Sequence, residues 1–220
     1  MCKAIDKMLL FSYMVDKLVD CQLNIENKNN DSSSSGMNNH QVKSAIIKTF
    51  SNTRVMKLLY LICLESYKIS KEKGNDKYNL FNLFNDFYAY PNGPVCLDVY
   101  NQLEKTEIYE YKDGAFTGEY KKDSSINKNV ESVKNFDYFK EAIDLSITYL
   151  LSDIENETFL NRDKLVALTH KLPLWKHAYI YAKDYKLDVA SECSLDKELD
   201  AYEPLTKKKD NNNSSKTDLH

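Results

Sequence analysis

The sequence predicts a mainly α-helical, single-domain fold, a compact helical domain with one small β-hairpin at about residues 107–120. Three observations predict it. Apolar residues recur at helical spacing over long segments, most cleanly in Phe136, Phe139, Ile143, Ile147, Leu150, Leu151 and Ile154. The 220 residues include only 5 glycines, too few for the many tight turns of a β-rich chain. One stretch alone, Glu107–Tyr120, alternates on either side of a Lys112-Asp113-Gly114 turn, as a hairpin does. A chain of this length fits one domain. We place it at residues 1–204, with a flexible polar insert at about 24–43 and a disordered tail at 205–220.

The first helix is expected from Ala4 to about Cys21, with Ile5, Met8, Leu9, Val15, Leu18 and Val19 on a wide apolar face opposite Asp6, Lys17 and Asp20. Met8–Val15 is apolar, but Asp16, Lys17 and Asp20 follow at helical spacing and no small-residue cleavage site does. A buried helix therefore explains it better than a signal peptide. Asn24–His40 is polar and of low complexity, and reads as a surface loop. A second helix should start at the capping cluster Ser51–Thr53 and stop at Gly74. Leu58–Leu64 within it is apolar on nearly every side, which makes it central.

Leu80–Tyr90 is aromatic-rich and meets Pro91-Asn92-Gly93-Pro94, which fixes a sharp turn. Pro94 suits the first position of a new helix, with Val95, Val99, Tyr100 and Leu103 along one face. Beyond the hairpin, the long helix over Phe136–Ile154 is followed by a polar connection holding Glu155 and Glu157. A short helix capped by Asn161 then runs to Leu168, and another from Leu172 to about Tyr185. Ser194–Tyr202 is expected to form a last short helix.

Charge and cysteine usage narrow the function classes. The net charge is −3, and the basic stripe of a nucleic-acid binder is missing. The five cysteines, Cys2, Cys21, Cys63, Cys96 and Cys193, are odd in number and contain no C-x-x-C pair, which points to reduced thiols in a cytoplasmic protein. No apolar run approaches the length of a membrane span. His40, His170, His177 and His220 stand at no recognised zinc spacing, so no metal and no cofactor is expected. Nucleotide-binding and serine-hydrolase motifs are missing as well. Cys63 or Cys96 with His170 is the one nucleophilic pairing to weigh, yet both thiols lie in apolar runs, where burial makes a thiol inert. No catalytic residue is assigned.

Three segments look chosen for more than packing: Thr53–Leu61, Phe87–Tyr100 and Leu165–Trp175. Their signatures are Lys57-Leu58-Leu59-Tyr60, then Gly93-Pro94-Val95 with Tyr100, and Thr169-His170 with Pro173 and Trp175. In this order they resemble the Panacea domain, the family of SocA-like, phage-associated antitoxins, over about Ile5 to Tyr202. The chain departs from that pattern in having Tyr88 and Tyr90 where a Trp is common, and Leu174 between Pro173 and Trp175. The resemblance implies an antitoxin-like binding protein that neutralises a partner toxin by direct protein–protein contact, with a protease as a further partner if it acts as a proteolytic adaptor. It also implies Tyr60, Tyr90, Gly93, Pro94, Val95, Tyr100, His170 and Trp175 as partner-binding residues.

The residues taken alone also fit a structural part: Trp175 in the core, His170 as a satisfied polar group near a helix end, and Gly93-Pro94 as a corner. The competing function is a phage or mobile-element regulator that contacts DNA or a host defence protein.

Overall fold

The computed structural model describes residues 4–29, 39–121 and 136–184. Among them are eight helices: α1 (Ala4–Asn29), α2 (Asn39–Ile47), α3 (Asn52–Lys73), α4 (Leu97–Tyr100), α5 (Phe136–Asp153), α6 (Asn156–Leu160), α7 (Arg162–His170) and α8 (Pro173–Asp184). Four strands form two antiparallel hairpins: β1 (Phe87–Tyr90) with β2 (Gly93–Cys96), and β3 (Tyr109–Lys112) with β4 (Ala115–Tyr120). The fold is mainly α, as the periodicity predicts. Ser194–Tyr202 and the tail lie outside the described residues.

Helix α3 forms because both ends are written into it. The Ser51 side chain accepts from the Arg54 N–H at 3.2 Å, satisfying one of the donors a helix start leaves open. At the other end Gly74 takes a left-handed φ of 57°, and the Gly74 and Asn75 N–H groups close on Lys71 and Ser70. Every residue from Arg54 to Ser66 is buried, since α5, α7, β2 and the two 3-10 turns Asp76–Tyr78 and Leu80–Asn82 all pack on this helix. Met8–Val15 of α1 is likewise buried, against α2, α4 and α5 as neighbours of α1.

Two polar side chains within this core tie distant parts of the chain together. Ser12 donates to the Met8 carbonyl and accepts the Glu107 N–H at 2.8 Å, which fastens the approach to β3 onto α1. Arg54, 2% exposed, donates to Gln22 and to the Phe159 carbonyl, and its guanidinium lies over the Phe50 ring. Burial lowers its pKa to about 10, which leaves it charged at neutral pH.

The structure differs from the sequence-based expectation at three places. First, α1 runs on through Asn24–Asn29 and α2 covers Asn39–Ile47, so both ends of the insert expected at about 24–43 are helical, and residues 30–38 lie outside the described residues. Ile25 extends the buried face of α1, and Ile46 and Ile47 are buried from α2, so a few apolar residues outweigh the polar composition. Second, Phe87–Tyr90 and Gly93–Cys96 form a second hairpin rather than leading directly into a helix. Pro94 lies in β2 opposite Ala89, and the helix begins at Leu97, after an extended Cys96. Third, the polar connection around Glu157 is the short helix α6, anchored by the fully buried Phe159.

The expected hairpin forms where alternation places it. Asp113 and Gly114 both have positive φ, 52° and 83°, as a two-residue turn matching strand twist requires. It docks on α2, where Ser44 donates to the Gly118 carbonyl at 2.7 Å.

Candidate functional site

Lysine is costly to bury, yet Lys57, one turn into the apolar run of α3, is 0% exposed. Its Nζ donates to the Pro94 carbonyl at 2.7 Å, so a cation in the core helix captures the backbone of β2. Gly93 precedes that carbonyl with φ 99°. A Cβ there would lie 2.7 Å from Lys57 Cε and 2.7 Å from Thr169 Oγ1. Only glycine fits a backbone in that region and at that approach. The first, second and third segments singled out in the sequence therefore meet at one point, through Lys57, Gly93 and Thr169.

The contact extends along α7 and α8. The His170 ring stacks on Trp175, centroids 3.9 Å apart and 9° from parallel, and Trp175 stacks in turn on Tyr179 at 4.8 Å. Trp175 Nε1 donates to the Tyr90 carbonyl at 3.0 Å, which holds the start of the β1–β2 turn on α8. Burial first, then the positive charge of Lys57, lower the His170 pKa below its usual 6.5, against a hydrogen bond with the backbone of Pro91 that raises it.

Beside this buried junction lies a cleft of about 410 Å³ between the first turns of α3, the β1–β2 turn and α4. Met56, Tyr90, Val95 and Tyr100 supply its apolar and aromatic surface, and Asn52, Asn92 and Asn101 its amides. Tyr100 is 43% exposed there.

The residues singled out by sequence thus separate into two groups. Tyr60 lies in the core, edge-on to Phe87 at 5.1 Å, and Gly93, Pro94 and Trp175 are buried in the junction. Tyr90, Val95 and Tyr100 line the cleft, and His170 is half-buried behind it. Lys57 and Thr169 belong to the junction although neither was singled out as a site residue. The signal for Lys57 was available: it is the one charge inside Val55–Leu64, where an otherwise apolar run demands an internal partner. Asn52 and Asn101 gave none, because cleft-lining amides become neighbours only on folding.

Burial pushes the Cys63 and Cys96 thiols up, and Asp98, which accepts from Cys96 Sγ at 3.0 Å, pushes Cys96 further. Among the described residues no group of three His, Cys, Asp or Glu is placed to hold a metal ion, and no helix is long and apolar enough to cross a membrane. No protein-family model, curated protein or solved structure matches the chain.

Proposed function

We propose that the chain is an antitoxin-like binding protein that neutralises a partner toxin by direct contact, with the cleft beside Tyr100 as its anchoring surface. The observation that carries this reading is the meeting of the three segments behind the resemblance, Lys57, Gly93 and Thr169, immediately beside a cleft lined by Tyr90, Val95 and Tyr100. Two tyrosines on a rigid wall suit recognition of a protein surface. Tyrosine offers large contact area at low conformational cost, and the wall is already ordered by Lys57 and Trp175. The reading assigns no catalytic role to any residue. Delivery of the captured toxin to a protease is its adaptor form.

The test is co-expression with each neighbouring gene product that arrests growth. The expected outcome is rescue from one of them and co-purification of the pair. Tyr100→Ala should weaken that complex by roughly tenfold or more, about the loss of an aromatic anchor, with the urea midpoint of the chain unchanged. If no neighbouring product is toxic, or the toxic one neither loses its effect nor co-purifies, the reading fails.

A further inference from the structure

The His170–Trp175 stack couples an imidazole to a wall of the cleft, through the hydrogen bond from Trp175 to the Tyr90 carbonyl. His170 Nε2 is buried and has no hydrogen-bond partner among the described residues. In the neutral ring that atom is an acceptor left idle; protonation turns it into a charged donor facing no acceptor. The ring also lies within the field of the buried Lys57 ammonium, so a second positive charge adds repulsion.

The surrounding elements offer little compensation. From α3 the charge that acts on the ring is Lys57; Arg54, three residues earlier, is turned to Gln22 and the Phe159 carbonyl, and Glu65 lies two turns further on. The Phe87–Cys96 hairpin carries no acidic or basic side chain; its titratable groups are Tyr88, Tyr90 and Cys96. From α8 come Tyr179 in the stack and the exposed Lys176 and His177, with Asp184 at the far end. The acid of α7 itself is Asp163, in its first turn, and Lys171 follows His170 in solvent. Glu157 of α6 is paired with Lys164 at 2.5 Å. The favourable groups are the Pro91 carbonyl and the Trp175 face, and burial with Lys57 outweighs the former.

We propose that His170 is an acid-sensitive latch: neutral, it seats on Trp175 and keeps the indole on the Tyr90 carbonyl; protonated, it leaves the stack and frees the β1–β2 turn that walls the cleft. The mechanical link is the pair of contacts that Trp175 makes, one to the imidazole and one to the turn. The latch is a property of the chain alone, so its failure would leave the proposed function standing.

Trp175 is the single tryptophan of the sequence, so its emission reports on the latch directly. Emission of the full chain is followed from about pH 8 to about pH 4.5, alongside far-ultraviolet circular dichroism, in the unaltered protein and in His170→Gln, His170→Phe and His177→Gln. The expected result is an emission transition with its midpoint below 6.5, without loss of helix, that disappears in both His170 variants and persists in His177→Gln. In the 15N-labelled unaltered chain the Trp175 indole N–H and the His170 ring should shift with one shared midpoint. A flat trace, separate midpoints, or the same transition in the His170 variants overturns the proposal.

Discussion

Gly93 shows how much a single position can carry. Its φ of 99° and the two 2.7 Å approaches, to Lys57 Cε and Thr169 Oγ1, combine backbone strain with steric overlap for any side chain. Gly93→Ala should therefore cost about 2–4 kcal/mol in urea unfolding, the sum of a positive-φ penalty and overpacking of a buried site. Gly114→Ala, with φ 83° but open space around it, should cost only about 1 kcal/mol, the backbone part alone. His170 adds a pH dependence of definite sign. Its folded pKa lies below the unfolded value of 6.5, so the unfolded chain binds more protons in the window between the two. Stability is full above about pH 6.5 and falls as the pH drops through that window. His170→Gln should flatten the dependence when urea midpoints are compared across that range. The motifs in the sequence mark Gly93 and His170, but that one cation packs against the first and disfavours protonation of the second follows only from where Lys57 sits.

Helix ends were the most legible elements, because a cap is a local contract between a few neighbouring residues. Residue type alone marks Ser51 and Asn161 as caps, and both cap: Ser51 accepts from Arg54, and Asn161 from the N–H groups of Asp163 and Lys164. Ser51→Ala and Asn161→Ala should each lower stability by about 1 kcal/mol, measured by thermal or urea denaturation. Helix α2 was not legible. It has no amphipathic run long enough to outweigh the polar tract before it, and it is held by α1 and β4. Gly118 sets that second contact, since a Cβ there would lie 2.8 Å from the Ser44 carbonyl. Strands β1 and β2 leave no clear signal in the sequence for a related reason. Four residues each are too short for alternation to register, and Pro94 reads as a helix start until Lys57 takes its carbonyl.

For the molecule as a whole, one core joins α1, α3, α5 and both hairpins, so access to its interior requires opening the domain. The cysteines test this. Cys63 and Cys96 are both 0% exposed, with thiols held well above the usual range, whereas Cys21 is half-buried with its pKa pushed up to about 11. With iodoacetamide at neutral pH, mass spectrometry should find Cys63 and Cys96 unmodified in the native chain and both alkylated in urea, with Cys21 reacting slowly between these limits. Fast native labelling of either core cysteine would contradict the packing described.

What the sequence determined by itself was the helical class, the central place of α3, its caps, the Asp113-Gly114 hairpin and the apolar face of α5. Each depends on periodicity or on residues within one turn of one another, where chain connectivity fixes geometry. What only the tertiary structure decided was that Lys57, Gly93 and Thr169 share one point, that Tyr60 is core while Tyr100 is surface, and that a cleft opens beside them. Those facts depend on pairs separated by tens of residues, and no local preference encodes the distance between them.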